Sequence, residues 1–247
     1  MAVSLLLLAH GARYLDLPFV DRLDGMVYDT WLRLSAPGGR DDRVAILDID
    51  EKSLAEVGRW PWGRDRLATL VAKLLDRQGA MLVAFDMVFA EPDDSSGLAS
   101  LEALARHELK DDSRFQSALK ELRPRLDHDR NFAAAIAGRP VVLGYYFASR
   151  GEGTNFGTLP PAILPAGSLP GGSASPMSWD SYGANLASLQ AQAVAAGHFN
   201  PILDPDGVLR RVPMLAEYRG RYYESLSLAV IRTLLGLPPV VPGFGEE

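Results

Sequence analysis

The sequence contains no cysteine in its 247 residues. This absence excludes disulfide-stapled scaffolds, thiolate zinc sites, iron–sulfur clusters and cysteine nucleophiles. An excess of basic residues is also missing: 25 Lys and Arg stand against 31 Asp and Glu, and the net charge is −6. Proteins that bind nucleic acid carry a basic stripe, so we predict no nucleic-acid partner.

Familiar catalytic motifs are absent as well. The sequence has no Gly-rich phosphate loop, no Gly-x-Ser-x-Gly elbow and no kinase signature. The histidines are scattered, and no two have the spacing of metal ligands: His10, His107, His128 and His198. The composition is that of a globular protein, with 47% hydrophobic and 23% charged residues, which excludes wholesale disorder and predicts a sizeable core.

The apolar run at the N-terminus is too short to cross a membrane by itself. Residues 2–9 (AVSLLLLA) would span about 12 Å as a helix, whereas the hydrocarbon core of a bilayer is about 30 Å thick. No Lys or Arg precedes the run, so it does not match a signal peptide. Two interpretations stay open: the end of a transmembrane helix that begins outside this sequence, or a buried N-terminal helix.

An amphipathic helix is predicted over residues 19–34. Its apolar residues recur at three- and four-residue steps, with charged residues on the other faces: Phe19, Leu23, Val27, Trp31 and Leu34. Such a stripe needs a surface to bury against. We predict that Trp31 and Leu34 pack on the following domain, and that Phe19 and Leu23 face the same helix of a second copy, as in a homodimer.

The rest of the chain alternates strand and helix patterns. Three short apolar runs predict buried strands at residues 44–49, 81–89 and 141–147. Helices of crossover length separate the runs, so we predict that they are neighbours in one mainly parallel sheet. Residues 151–178 are dominated by Gly, Pro and Ser and predict an irregular excursion.

The C-terminal part predicts an antiparallel meander over residues 197–223, with a type I turn at residues 204–207 (DPDG) rather than a calcium loop. The predicted fold class is therefore α/β: a mainly parallel core sheet with flanking helices, plus an antiparallel meander near the C-terminus. We divide the chain into a membrane-proximal helical segment, residues 1–35, and an α/β domain, residues 36–247.

Two carboxylates close the first predicted strand. Asp48 and Asp50 lie two residues apart, hence on one face of the strand, at the carboxyl end where open α/β sheets bind ligands. Their oxygens could hold a divalent cation, the one cofactor that the sequence suggests. The spacing is similar to the Asp-x-Asp of haloacid-dehalogenase-type phosphatases, although Lys52 stands in place of their Thr or Val and Asp86 in place of their Ser or Thr. The alternative is structural: one Asp caps the turn at Ser53 and the other pairs with an arginine.

Residues 58–64 (GRWPWGR) concentrate aromatic and basic side chains. Arg59, Trp60, Trp62 and Arg64 offer a surface for stacking and for binding anions. The alternative is an aromatic plug that seals the core below the following helix. The sequence leaves both interpretations open.

Asp86 lies inside the apolar run of residues 81–89. A buried charge at such a position is costly unless it is paired. We predict that Asp86 is buried and makes a charge-assisted hydrogen bond with Arg59, with Arg64 or with backbone amides of residues 58–64.

Together these segments resemble a known family, the type-two CHASE domain, whose name stands for cyclase- and histidine-kinase-associated sensing extracellular domain. The resemblance covers nearly the whole chain and rests on residues 28–33 (YDTWLR), 47–54 (LDIDEKSL), 58–64, 85–92 (FDMVFAEP), 141–146, 197–200 (GHFN) and 204–213 (DPDGVLRRVP). Residues 151–178 depart from the family's pattern, because they are longer and richer in Gly and Pro than that pattern leads us to expect.

The resemblance implies a non-enzymatic sensor domain of a bacterial inner-membrane receptor. Such a domain faces the periplasm or the cell exterior and is held by flanking transmembrane helices. It responds to an unknown small ligand or envelope component and controls a cytoplasmic adenylate cyclase, histidine kinase or Ser/Thr kinase. The resemblance also implies that the sequence stops before the family's last strands and the membrane helices that follow them.

We predict a ligand site among the motif residues, and no catalytic residue. Its candidates are Asp48, Asp50, Arg59, Trp60, Trp62, Arg64, Asp86, Asn200 and Arg210, with Asp48 and Asp50 as the candidate metal ligands. Two alternative functions stay open. One is a metal-dependent, phosphatase-like hydrolase that uses Asp48 and Asp50, and the other is an interaction scaffold without a ligand.

Overall fold

A computed structural model describes residues 8–12, 14–15, 17–36, 38–39, 41–149, 155–169 and 176–243. Most of the N-terminal apolar run and parts of the segment rich in Gly, Pro and Ser lie outside the described residues, so the interpretations given for them stay predictions. The chain divides into two compact units, the first comprising Met1–Asp50 and Leu203–Arg210 and the second Glu51–Ile202 and Arg211–Glu247. The boundary at residue 35 stays a prediction.

The α-helices with described bounds are α1 (Pro18–Ser35), α2 (Glu51–Val57), α3 (Arg64–Ala72), α4 (Leu98–Arg106), α5 (Ser113–Leu126), α6 (His128–Ile136), α7 (Ala187–Gln190) and α8 (Leu226–Leu234). A π-helical segment, Lys73–Arg77, directly follows α3. The strands are β1 (Val83–Phe85), β2 (Val141–Ala148), β3 (Ser178–Trp179), β4 (Ser181–Gly183), β5 (Ala195–His198), β6 (Ile202–Leu203), β7 (Leu209–Arg211), β8 (Leu215–Tyr218) and β9 (Arg221–Glu224).

Helix α1 is the longest element of the first unit. Pro18 opens the helix, which suits a helix start because proline has no N–H to leave unpaired. The helix ends where the N–H of Ala36 donates to the carbonyl of Leu32. None of the described residues of α1 is buried. Trp31 is 70% exposed and Leu34 81% exposed, so the prediction that they bury is wrong. An apolar stripe indicates that a helix face needs cover, but not which surface supplies it.

Residues 44–50 form no strand, although their apolar composition predicted one. Val44, Ile46 and Leu47 are all exposed, Ile46 by 91%. The prediction that residues 44–49 join the parallel sheet is therefore wrong. A high β propensity means that side chains fit a pleated surface, but a strand also needs a neighbour that pairs with its backbone. The run itself does not specify that neighbour.

The second unit is built on β2, which is buried along nearly all of its length. β1 and β5 both pair with β2, and both pairings are parallel. Phe85 stands opposite Leu143 in one ladder, and Leu143 stands opposite Ala196 in the other. This confirms the predicted parallel sheet for the second and third apolar runs. A strand that is buried on both faces needs apolar residues at successive positions, which explains the composition of β2.

Helices α3 and α6 supply much of the core of this unit. Val71 from α3 and Phe132 and Ile136 from α6 are fully buried. The ring of Phe132 meets the ring of Phe89 edge-on, with 5.2 Å between the centroids. Phe85, the last residue of β1, meets Phe132 in the same way at 5.7 Å. These edge-to-face contacts tie the sheet to the helices that precede β2.

The C-terminal strands form two smaller sheets. β8 and β9 make an antiparallel hairpin in which Leu215 stands opposite Glu224, and β3 pairs with β8 in parallel. β6 and β7 pair across the predicted type I turn, where the N–H of Gly207 donates to the carbonyl of Asp204 at 2.8 Å. Gly207 has a φ of 81°, a conformation that glycine adopts without strain. The predicted α/β class with an antiparallel C-terminal part is thus confirmed.

Candidate functional site

The predicted site residues belong to both units. The first unit contains Asp48, Asp50 and Arg210, and the second contains Arg59, Trp60, Trp62, Arg64, Asp86 and Asn200. The role of each side chain follows from its contacts within its own unit.

Asp48 and Asp50 are exposed and lie in the irregular segment before α2. The phosphatase hypothesis requires them at the end of a strand, and residues 44–50 form none. Among the residues that the structure describes, no group of three or more His, Cys, Asp or Glu side chains could hold a metal ion. A cation held by these two carboxylates stays a prediction, whereas phosphatase chemistry loses its structural basis.

The loop of residues 58–63 places its two indoles differently. Trp62 packs against the core, and its Nε1–H donates to the carbonyl of Gly58 at 2.7 Å. Trp60 meets the ring of Trp62 edge-on, with 5.7 Å between ring centroids, and is 38% exposed. Arg59 is exposed. Trp62 therefore acts as the plug, whereas Trp60 and Arg59 leave a surface open for stacking and for anions.

Arg64 is buried at the start of α3. Its guanidinium forms an ion pair with Asp129, donates to the carbonyl of Glu91, and lies over the ring of Phe89 with 5.4 Å from Cζ to the ring centroid. The backbone N–H of Arg64 donates to Asp93 Oδ2 at 2.6 Å. Arg64 therefore joins α3, the loop before α4 and the start of α6, and its donors are engaged inside the protein.

A small hydrogen-bond network continues from this ion pair. Asp129 also accepts from the N–H of Asp93 at 3.0 Å, and Asp93 accepts from the N–H of Ser95 at 2.8 Å. His128 Nδ1 lies 3.3 Å from Asp93 Oδ2. Burial raises the pKa of Asp93, but the hydrogen bonds from Ser95 and Arg64 outweigh burial, so the pKa is lowered from 3.8. Asp93 is therefore held as a carboxylate that organises the loop.

Two buried asparagines complete the hydrogen bonding of β2. Asn200 Oδ1 accepts from the N–H of Phe147 and Asn200 Nδ2 donates to its carbonyl, both at 2.7 Å. The Asn200 side chain thus bonds both backbone groups of Phe147, as a neighbouring strand would. Asn185 links β2 to the segment after β1, because its Oδ1 accepts from the N–H of Phe89 at 2.8 Å and its Nδ2 donates to the carbonyl of Gly144 at 3.0 Å.

Arg210 binds three carboxylates of the first unit. Its Nε and Nη2 donate to the two oxygens of Asp29 at 2.8 and 2.9 Å. Nη1 and Nη2 donate to Asp206 at 2.9 and 2.7 Å, and Nη1 donates to Asp204 at 2.9 Å. Hydrogen bonding from Arg210 lowers the pKa of Asp206 to about 2 and also lowers the pKa of Asp29. The guanidinium lies against Gly25, where an added Cβ would stand 3.2 Å from Cζ.

Helix α1 consequently has two different faces. Gly25 and Asp29 are one turn apart, and Arg210 covers both of them. At about 100° per residue, Leu23 and Val27 lie roughly on the opposite side of the helix, and Phe19 lies at the edge of the same apolar stripe. Phe19 is 72% exposed and Leu23 45% exposed. One face of α1 is held by the β6–β7 turn, and the other presents uncovered apolar side chains.

Comparison with the profiles of known protein families matches residues 2–242 to the CHASE2 domain. This chain belongs to the CHASE2 family. CHASE2 domains are extracytoplasmic sensor domains and are generally non-catalytic. The resemblance found in the sequence is therefore confirmed over nearly the whole chain. The same comparison with curated proteins and with solved structures finds no match. Within the described part of this CHASE2 domain, no helix has both the length and the apolar character to span a membrane.

The sequence does not single out three residues of this CHASE2 domain that make defining contacts. Asp29 and Asp129 bind the predicted residues Arg210 and Arg64, and Asn185 links β2 to the segment after β1. Asp29 lies in the motif of residues 28–33, so its motif position is a signal that could have found it. Asp129 and Asn185 stand in segments without a motif. Their partners, Arg64 and Phe89, are distant along the chain, and local spacing gives no signal of such contacts.

The predicted burial of Asp86 is wrong for this CHASE2 domain. The sequence predicts that Asp86 is buried and bonded to an arginine or to backbone amides of residues 58–64, but its side chain is exposed. β1 ends at Phe85, so Asp86 follows the strand instead of lying within it. The buried arginine of the neighbouring motif, Arg64, pairs with Asp129. An apolar run shows that a segment is mostly buried, but it does not show where the strand within it stops.

Asp86→Ala is therefore expected to change the free energy of unfolding by less than about 0.5 kcal/mol, as for other surface substitutions. Urea denaturation of the two proteins measures the difference. Asp93→Ala is the matched control, because it removes a largely buried carboxylate with several hydrogen bonds and should cost distinctly more. A loss of about 3 kcal/mol for Asp86→Ala would restore the buried pair that the sequence predicted.

Proposed function

We propose that this CHASE2 domain is the signal-input module of a bacterial receptor in the inner membrane. The domain faces the periplasm or the cell exterior, is held by flanking transmembrane helices, and controls a cytoplasmic adenylate cyclase, histidine kinase or Ser/Thr kinase. The observation that supports the proposal is the arrangement of α1, whose one face is bound by Arg210 and whose other face carries an uncovered apolar stripe. Such a helix is tied to the β6–β7 turn and still has a surface for a partner.

The partner of the stripe is the same helix of a second copy. A two-fold axis brings identical residues together, so a stripe of apolar residues is complementary to itself. Phe19 and Leu23 form the part of the stripe that meets the other copy. A ligand then signals by binding one arrangement of the two helices more tightly than another. Arg210 makes the β6–β7 turn move together with α1, because it binds Asp29 through two hydrogen bonds.

The signal is a small ligand or an envelope component that meets exposed residues of the predicted site. Each unit offers one candidate surface: Asp48 and Asp50 in the first, and Arg59, Trp60 and Asp86 in the second. The ring of Trp62 packs edge-on against the ring of Trp60. Arg64, Asn200 and Arg210 support the fold, because their polar groups are bonded within the chain. Thermal shift assays with divalent cations and with small anions are the direct screen, since a ligand stabilises the fold that binds it.

Leu23→Asp should weaken dimerisation and change the output of the receptor, because it places a charge in the apolar contact. The melting temperature of the isolated chain should change by less than about 2 °C, since Leu23 is exposed there. Sedimentation measures the dimer, and the enzymatic activity of the parent receptor in membranes measures the output.

Leu32→Asp is the matched control for this test. Leu32 is 50% exposed, similar to Leu23 at 45%, but it points away from the stripe. Leu32→Asp should leave the dimer and the output unchanged. The proposal is contradicted if both substitutions weaken the dimer equally, or if neither changes the output.

A further inference from the structure

His198 is a fully buried histidine whose side chain has no hydrogen-bond partner in the described part of the chain. It is the last residue of β5 and is 0% exposed. Among the described residues, none bonds to its Nδ1 or its Nε2. Buried polar groups in proteins are nearly always paired, so an imidazole with two unpaired nitrogens calls for an explanation.

The neighbours of His198 include further polar atoms without partners. Tyr145 stands opposite His198 in the β2–β5 ladder, and its hydroxyl is buried and also unpaired within the described chain. Glu224, the last residue of β9, has one carboxylate oxygen, Oε2, that is buried and also unpaired within the described chain. Its other oxygen accepts from Arg232 of α8 at 2.6 Å. The ring of Phe147, 5.9 Å from His198 between centroids, supplies an apolar wall.

Glu224 lies next to Ser225, the residue that forms a bridge with His198, and it is part of an ion pair. Glu224 on β9 and Arg232 on α8 form an ion pair with each other, so their charges largely cancel. Burial raises the pKa of Glu224, and the hydrogen bond from Arg232 opposes that effect. Burial also raises the pKa of Tyr145 on β2 and of Tyr223 on β9. Burial is what lowers the pKa of His198, and within the described chain no neighbouring charge opposes that effect.

The position of His198 connects it to the start of α8. His198 forms a bridge with Ser225, whose Oγ caps α8 by accepting from the N–H of Leu228 at 3.3 Å. The neighbouring Gly197 leaves no space: an added Cβ would lie 2.5 Å from the carbonyl oxygen of Ser225 and from the backbone of Leu226. The end of β5 is therefore in direct backbone contact with the first turn of α8.

We propose that His198 is an acid-sensitive switch, in which adding a proton to the buried ring opens the junction between β5 and the first turn of α8. His198 is fully buried in the closed junction, and burial disfavours the charged imidazolium relative to the neutral ring. Opening the junction hydrates the ring and releases the cap at Ser225. The proposal goes beyond the proposed function, since it concerns a change of structure that is present whatever ligand or output the receptor has.

The direction and size of the effect follow from linkage. Burial lowers the pKa of His198 from 6.5 to about 4 in the closed junction, and the ring regains its ordinary pKa once the junction opens. The open form therefore binds the proton more tightly and gains population as the pH falls from about 6.5 towards about 4. Between pH 7 and pH 5 the equilibrium constant for opening should rise about 20-fold.

Hydrogen–deuterium exchange tests this directly in the wild-type chain. After correction for the intrinsic pH dependence of exchange, the protection of amides in α8 should fall about 20-fold from pH 7 to pH 5. The protection of amides in α5 should stay constant, because α5 contains no histidine and is not part of the β5–α8 junction. An equal loss in both helices would indicate unfolding of the whole unit and would overturn the switch.

Two variants assign the effect to the residue. His198→Gln should remove the pH dependence in α8, and the exposed His107→Gln, as the matched control, should keep it. If His198→Gln does not fold, histidine NMR resonances of the wild-type chain decide the question. The resonance of His198 should stay unshifted between pH 8 and pH 5.5, and a midpoint near its ordinary pKa of about 6.5 would contradict the proposal.

Discussion

Arg64→Ala is expected to lower the free energy of unfolding by about 4 kcal/mol. The guanidinium of Arg64 is the ion-pair partner of Asp129, and both side chains are largely removed from water, with exposures of 10% and 19%. Removing the arginine leaves Asp129 charged and only partly bonded, and leaves the carbonyl of Glu91 without its donor. The cost is therefore that of an unpaired buried charge and not that of a surface ion pair, which would be about 1 kcal/mol or less.

Urea denaturation with circular dichroism measures this loss. Arg59→Ala is the matched control, because Arg59 belongs to the same motif but is exposed, and it should cost less than about 0.5 kcal/mol. Replacing Asp129 together with Arg64 should cost less than the sum of the two single losses, since the second removal no longer strands a charge. Additive losses would show that the two side chains do not depend on each other.

Asn200→Ala is expected to lower the free energy of unfolding by about 3 kcal/mol. The amide satisfies both backbone groups of Phe147, each at 2.7 Å, in a part of β2 that is buried. Alanine leaves a buried N–H and a buried carbonyl without partners, and each unpaired group costs about 1–3 kcal/mol. Asn200→Asp should cost at least as much as Asn200→Ala, because its carboxylate can accept from the N–H but places a buried negative charge against the carbonyl of Phe147.

Asn131→Ala is the matched control, because the side-chain amide of Asn131 makes a weak hydrogen bond. Asn131 Nδ2 donates only to the carbonyl of Arg125 at 3.5 Å, near an exposed surface of α6. Its loss should be less than about 1 kcal/mol. If Asn200→Ala costs no more than Asn131→Ala, Asn200 does not support β2, and a role in contacting a ligand would gain weight.

The parallel core could be predicted because its information is local. The unbroken apolar run of β2 indicates a strand buried on both faces, and the helices before it supply a crossover. The run at residues 44–49 has similar composition but no strand partner, and composition carries no record of pairing. The same limit applies to Asp86, whose place just after β1 depends on where the ladder ends.

The candidate site could be predicted only in part, because its partners are far apart along the chain. Residues 58–64 and 204–213 stood out as motifs, and the structure gives most of their charged residues defined contacts. Asp29 and Arg210 are separated by 181 residues, so no spacing rule connects them. The unpaired state of His198 was invisible as well, since a sequence shows that a histidine is present but not whether anything bonds to it.

Helix α1 is proposed to carry the signal between two copies of this CHASE2 domain. Disulfide cross-linking of the parent receptor in membranes tests it most directly. Because the chain has no cysteine, each introduced cysteine reports one position within the domain. Phe19→Cys, Leu23→Cys and Val27→Cys should cross-link strongly and fix the output, whereas Leu32→Cys on the other side should not. Equal yields on both sides of the helix, or no cross-link at any position, would contradict the account.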